Sequence, residues 1–275
     1  MRETVHAEVR TDFPGAALER LDGALSQLSY EAAPEFADPL QQPFAVYVPD
    51  LPVRAWFEPA EFPWYPHVKA AYPAIREELH AALAYEQTEF LPYVQGSDSD
   101  REGDAATDLL APLRGSRSWT AFHLYKNGTR FAHRCAICPV TEKAVLPPSP
   151  FIPNQKPEIL FSRLQPGGHI VPHFGMTNAI LTAHLALQIP SSCGLRAGSE
   201  TRPWKEGDVF VFDDSFDHEA WNRDPENERM VLIFEVWNPT LNEAEQFGLQ
   251  RMFERRRAWL DHCGERELRE IRRRS

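Results

Sequence analysis

The chain has 275 residues, with 29 Lys and Arg against 40 Asp and Glu, a formal net charge of −11, and hydrophobic and charged fractions of 43% and 25%. That is the make-up of a globular protein of about one or two domains at ~150 residues each, not of a disordered or fibrous chain. The acidic balance argues against nucleic acid or an anionic membrane as the main partner.

The opening residues, MRETVHAEVR, contain no apolar core of a secretory signal. No run reaches the ~18 apolar residues of a spanning helix. The longest, Ala179 to Pro190, is interrupted by Thr182 and His184. A cytoplasmic protein without a membrane anchor is expected, and four cysteines are too few for a disulfide scaffold.

Residues 1–42 read as a polar N-terminal extension with one amphipathic helix from Pro14 to Leu28. Residues 43–117 form a lead-in. Its prolines break long helices, so Pro39 to Pro66 is expected to be extended and pinned by Phe44, Tyr47, Trp56, Phe57, Phe62 and Trp64. Tyr65 to Glu89 reads as a helix, and residues 96–107 as an exposed loop.

Residues 118–240 change character. Short β-rich runs recur at Trp119–Lys126, Glu158–Leu164, His169–His173, Ala179–Ile189, Gly194–Ala197, Asp208–Asp213, His218–Asn222 and Met230–Trp237. Many short strands with Gly, Pro and Asp between them indicate a sandwich or barrel. The reversals at Gly167 and Gly207 lie where tight turns need a positive φ. Residues 241–275 return to a helical period as far as Leu260 and end in a charged tail expected to fray. The fold class is an all-β core flanked by N- and C-terminal helices.

The chemistry-bearing residues concentrate between Ser162 and Arg229. His173 and His218 each sit at the edge of a strand, and neutral imidazoles from two different strands suit Fe(II). The same two histidines also fit a reading in which they end strands and bond locally. A facial triad carries Asp or Glu two residues after the first His, and that position is Gly175. Asp213 and Asp214 suit either a turn built on Asx bonds or a hold on metal-bound water. Arg229 opens an apolar strand, where a guanidinium matches a carboxylate bidentately. His184 lies mid-strand on the side of Thr182 and Ala186, where a lone histidine reads first as a satisfied core residue; paired with Arg229 and Ser162 it could instead close a pocket for a dicarboxylate.

The ordered pieces Pro166–Asn178 (P-G-x-H-x-x-P-H-x-G-x-T-N), His184, Trp204–Gly207 (W-x-x-G), Phe212–Trp221 (F-D-D-S-F-x-H-E-x-W) and Val236–Pro239 (V-W-x-P) resemble the aspartyl/asparaginyl β-hydroxylase family of Fe(II)- and 2-oxoglutarate-dependent oxygenases. Weaker similarity extends upstream through Trp119–Gly128 and Ala45–Phe57.

The resemblance implies a double-stranded β-helix, or jelly roll, with residues 43–240 as the oxygenase domain. It makes His173 and His218 the iron ligands, and the family also has glycine where Gly175 stands. Arg229 becomes the partner of the distal carboxylate of 2-oxoglutarate, with Ser162 and His184 as further co-substrate contacts. Asp214 becomes the acid near the metal water, and Tyr125 a wall of the co-substrate pocket. With Fe(II), 2-oxoglutarate and O2, the implied reaction hydroxylates the β-carbon of an Asp/Asn-type group in a peptide, carrier-bound amino acid or small metabolite, releasing succinate and CO2.

Thr182 and Leu160 stand where animal members carry basic residues. A halogenase, with chloride in the space left by the glycine, and a catalytically silent jelly roll that binds a ligand stay open as alternatives. Cys135-Ala-Ile-Cys138 reads as packing or an opportunistic disulfide, with a redox pair or half a zinc site as the competing reading.

Overall fold

Twelve strands, all paired antiparallel, make two sheets of a jelly roll in the computed structural model, which describes residues 1–28, 34–85, 90–95 and 109–272, with backbone only at 28 and 260–272. The strands are β1 (Trp56–Phe57), β2 (Leu91–Pro92), β3 (Trp119–Lys126), β4 (Thr129–Arg130), β5 (Ile159–Leu164), β6 (His169–His173), β7 (Ile180–Gln188), β8 (Cys193–Ala197), β9 (Glu200–Arg202), β10 (Val209–Phe212), β11 (His218–Asn222) and β12 (Arg229–Trp237). The larger sheet has the order β1-β10-β7-β12-β5-β3-β2, with β4 on β3; the smaller is β6-β11-β8-β9. The expected double-stranded β-helix is present, with eight of its strands within about a residue of the runs read from the sequence; the short β1, β2, β4 and β9 had no counterpart there. Gly167 and Gly207 take the positive φ their turns require, 71° and 79°.

Strand β7 shows why a jelly roll follows from this sequence. Both its faces are covered, so it reads as a nearly continuous apolar run. Leu181, Ala183, Leu185 and Leu187 point outward into one core, whereas Thr182, His184 and Ala186 point between the sheets. The outward core is closed by α3 (Tyr65–Ala84), α4 (Ala132–Ile137) and α5 (Pro139–Val145). Pro66 opens α3, where its missing N–H is no loss, and Val68, Ile75, Leu79 and Ala82 bury its inner face. This helix stops at Ala84, short of the expected Glu89; residues 86–89 and the expected loop at 96–107 lie outside the described residues.

Helices α1 (Arg2–Asp12), α2 (Glu19–Leu28) and α6 (Glu243–Arg272) pack on one another in a third core, with Val46, Val48, Ala179 and Ile180 beneath them. Two corrections arise here. Helix α1 was absent from the expectation, and α6 runs to Arg272 where a frayed tail was expected. Its last turns are rich in Glu and Arg, residues of good intrinsic helix propensity. Of the six aromatics expected to pin the Pro-rich lead-in, Tyr47, Trp56, Phe57 and Phe62 are buried, and Phe44 and Trp64 are half-buried. Among the described residues no helix is long and apolar enough to cross a membrane.

Candidate active site

The two sheets enclose a cavity of about 110 Å3. Roughly 15 Å3 holds one water, so this space suits a small ligand. Antiparallel pairing of β6 with β11 puts His173 and His218 in direct register, their rings 4.0 Å apart between centroids. Each ring is oriented through its own backbone. Nδ1–H of His173 donates to the Val171 carbonyl at 2.8 Å, and Nδ1–H of His218 to the Phe216 carbonyl at 2.9 Å. That tautomer leaves Nε2 as a lone pair, and neither Nε2 is engaged by a described residue. Burial depresses both pKa values, His218 further because of His173 beside it. Two neutral imidazoles with free lone pairs are the donor set of a divalent metal with open coordination positions.

Gly175 is a necessity of packing. A Cβ there would lie 2.1 Å from Oδ1 of Asp214, whose side chain occupies the space a triad carboxylate would need. Asp214 accepts a hydrogen bond from Thr182 Oγ1 at 3.0 Å, and burial raises its pKa to about 7. The preceding Asp213 is fully buried, also with a pKa of about 7, and accepts from Gln41 Nε2 at 2.9 Å and the Ser215 N–H at 2.9 Å.

Because Asp213 binds its proton more tightly folded than unfolded, its stabilising contribution is full below pH ~4 and is lost as pH rises through about 7. Asp213→Asn is therefore expected to flatten the fall in stability between pH 4 and 7 by about one proton, read from denaturation midpoints across that range.

At the other end of the cavity lies Arg229, 1% exposed. Its Nη1 donates to Ser162 Oγ at 3.3 Å and its guanidinium sits 5.1 Å over the Trp204 ring, but its Nε has no partner. Among the described residues no carboxylate pairs with it, and burial lowers its pKa to about 10. Ser162 also accepts the Trp119 indole N–H at 3.0 Å. His184, stacked on Trp204 with a 17° tilt, has a buried Nδ1 without a partner; burial and the Arg229 charge push its pKa to about 3. An isolated buried guanidinium is costly unless an anion pairs with it. The cavity thus fits a carboxylate-bearing small molecule between Arg229 and the histidine pair.

Six of the seven residues singled out from the sequence meet at this cavity: His173, His184, Asp214, His218 and Arg229 line it, and Ser162 backs it through Arg229. Tyr125 does not. A bulge in β3 between His123 and Tyr125 inserts Leu124, so Tyr125 turns to the outer core, where its hydroxyl donates to Glu142 at 2.5 Å. Tyr125→Phe is expected to leave co-substrate affinity within about twofold while costing about 1–2 kcal/mol of stability, measured by keto-acid titration and thermal unfolding.

The aromatic wall on this side is Trp119 with Tyr93 stacked on it at 3.9 Å, a pair the sequence offered no spacing signal for. Glu158 and Glu235 also line the cavity and were likewise missed. Cys135 and Cys138 are free and buried, and burial pushes both thiols up to about 12, which removes the thiolate that redox or zinc chemistry needs.

A backbone strap ties the two histidine loops together. Gln41 bridges Phe216 and Val46 bridges Thr177; Gln42 N–H donates to Ser215 O, Asp217 N–H to Leu40 O, and Phe44 N–H to Gly175 O. Asn178 closes the strap by exchanging two 2.8 Å hydrogen bonds with the backbone of Val48.

Fold and cavity together define a jelly-roll protein with a two-histidine centre facing a carboxylate pocket. The Aspartyl/Asparaginyl beta-hydroxylase family model matches residues 69–239, more than half of the chain, and the protein belongs to that family. Aspartyl/asparaginyl beta-hydroxylase of Mus musculus is 36% identical over 151 residues, 53% of this chain and 20% of the mouse protein. Ornithine lipid ester-linked acyl 2-hydroxylase of Rhizobium tropici is 32% identical over 191 residues, 68% of this chain and 62% of that protein. The chain thus spans about a fifth of the mouse relative's length. Among solved structures, a predicted oxalate decarboxylase from Thermotoga maritima shares 13% identity over 43% of this chain and 80% of its own, with a TM-score of 0.29.

Proposed function

We propose that the protein is an Fe(II)- and 2-oxoglutarate-dependent dioxygenase that hydroxylates a C–H bond of a peptide, carrier-bound amino acid or small metabolite. The observation that carries this reading is the buried guanidinium of Arg229, without an anionic partner, on the cavity that holds the two free imidazole Nε2 atoms. Iron and 2-oxoglutarate would supply the oxidising chemistry, converting C–H to C–OH with consumption of O2 and release of succinate and CO2.

The chain's own residues bind and orient. His173 and His218 would hold the metal; Arg229, with Ser162 and His184 beside it, would hold the distal carboxylate of the co-substrate. Asp214, anchored by Thr182 beside Gly175 and with its pKa raised to about 7, can hold or release a proton at its carboxyl near the place the two imidazoles would hold the metal. Trp119, Trp204 and Phe212 exclude bulk water from the space between the sheets. The β-carbon of an Asp/Asn-type group is the substrate that the family's name offers, and the walls of the cavity bear on that choice below. A halogenase is disfavoured by one observation: the space beside Gly175 that a chloride would enter is filled by the Asp214 carboxyl.

Fe(II) and 2-oxoglutarate added without oxygen are expected to give the weak visible charge-transfer band of a chelated keto acid. His218→Ala and Arg229→Ala should each lose it. A wild-type protein that shows no band at any concentration would sink the proposal and leave a ligand-binding jelly roll in its place.

A further inference from the structure

The cavity is polarised along β12. Arg229 stands at one end of the strand and Glu235 at the other, roughly 20 Å away along the backbone at ~3.3 Å per residue. Strand register places Ser162 toward the Arg229 side, opposite Val231, and Thr182 opposite Glu235; His184, opposite Ile233, is linked to Arg229 through the Trp204 ring that both face. The Arg229 end is closed: Arg229, Ser162 and His184 are at most 5% exposed. Thr182, Asp214 and Glu158 at the other end are half-buried, so that end is the mouth.

Three carboxylates line the mouth, Glu158, Asp214 and Glu235. One cation, Lys156, accompanies them, and its ammonium is bonded to Glu235. Burial works to lower the Lys156 pKa, but the Glu235 and Glu158 charges outweigh it and hold the ammonium protonated. The second oxygen of Glu235 accepts the Glu158 N–H at 2.9 Å, so Glu235 is fully committed.

Glu158 is different. One of its oxygens accepts the Tyr93 hydroxyl at 3.1 Å, and the other has no partner among the described residues. Tyr93 is fixed in turn by its stack on Trp119. With Lys156 paired to Glu235, Glu158 is left as the carboxylate with an uncommitted oxygen, and among the described residues the mouth offers no uncommitted cation. The partnerless buried atoms Arg229 Nε and His184 Nδ1 lie on the same cavity and point to a ligand at its closed end.

A substrate carboxylate entering here would meet carboxylates, whereas an ammonium or guanidinium would meet a charge-assisted acceptor beside an aromatic face. We propose, resting on the hydroxylase reading, that the mouth selects a substrate bearing a primary ammonium or guanidinium group. Glu158 holds that cation, and Tyr93 positions the Glu158 carboxylate. Thr182 and Leu160 fit this polarity, since a basic side chain at either place would bring the opposite charge.

The probes are the Nα-acetyl amides of lysine, ornithine and arginine, with norleucine and citrulline as neutral counterparts and aspartate as the anionic one. Binding is measured by calorimetry on the purified protein, alongside stimulation of succinate release. The cationic compounds are expected to bind about 10- to 100-fold more tightly than their neutral counterparts, the range of one charge-assisted hydrogen bond. Glu158→Gln should erase that preference and Glu158→Asp should retain part of it.

Equal or tighter binding of norleucine, citrulline or aspartate amides overturns the proposal, as does no binding by any cation or an unchanged preference in Glu158→Gln. The anaerobic keto-acid band separates the two readings. A band without cation preference removes only the charge proposal. Cation preference without a band removes the hydroxylase reading and leaves the cation site standing.

Discussion

Arg229→Met is expected to stabilise the ligand-free protein while abolishing co-substrate binding. The guanidinium is 1% exposed, its Nε has no partner, and among the described residues no carboxylate neutralises it. A buried cation without a counter-ion costs several kcal/mol, and an apolar side chain of similar volume removes that cost. Ser162 keeps a partner after the change, because the Trp119 indole N–H still donates to it. The gain should be about 1–3 kcal/mol, raising the melting temperature by roughly 3 °C or more for a chain of this size. In the same variant the keto-acid titration should show at least a ~100-fold loss of affinity, since a desolvated guanidinium–carboxylate pair has gone. Loss of stability together with loss of binding would mean that Arg229 serves the fold and that the pocket reading is wrong.

Gly175→Ala should do the reverse, costing both stability and metal binding. The added methyl would meet the Asp214 carboxyl at 2.1 to 2.7 Å, far inside contact distance. The strand end cannot yield freely, because the Gly175 carbonyl accepts Phe44 N–H and its own N–H donates to Asp214 O. Asp214 must therefore rotate away and give up Thr182. Overpacking of this kind costs about 1–3 kcal/mol. Displacing a carboxylate beside a metal site typically lowers metal affinity or activity 10- to 100-fold. Metal titration and chemical denaturation read the two effects separately. The double variant Gly175→Ala with Asp214→Ala should recover the stability and not the activity. A Gly175→Ala protein with full activity would show that the Asp214 position is irrelevant to the chemistry.

The β core was legible because its strands announce themselves locally. Runs such as VLIFEVW and LTAHLAL are nearly continuous apolar stretches, and Gly167 and Gly207 mark turns between strands with the positive φ they need. The residues grouped from their motifs then fell onto one cavity, because antiparallel register carries neighbouring strand ends to the same place, as with His173 opposite His218.

What escaped the sequence did so for physical reasons. Helix α1 buries only Val5 and Val9, two positions one turn apart, too little for a periodic signal. Tyr125 was placed by the resemblance, and a bulge at Leu124, which leaves no mark in the sequence, turns it to the other face of its strand. Glu158, Glu235 and Tyr93 reach the cavity from three separate segments, so only the folded chain shows that they form one charged mouth. The six motif residues that meet at the cavity carry the proposed cofactor site, and the acidic mouth carries the proposed choice of substrate.

The strap from Gln41 to Val48 bears on where this protein can be cut. The family match begins at residue 69, and a fragment trimmed to that boundary would retain both histidines, Arg229 and Asp214. It would lose every backbone bond that Leu40, Gln42, Phe44, Ala45 and Val46 make to the loops at 175–176 and 215–217, along with the Gln41 amide on Asp213. Those bonds fix the spacing of the two imidazoles from outside the barrel. The smallest unit expected to keep this cavity intact is therefore longer than the stretch that identifies the family. Chimeras that exchange barrels between relatives should carry residues 40–48 with the barrel as part of it.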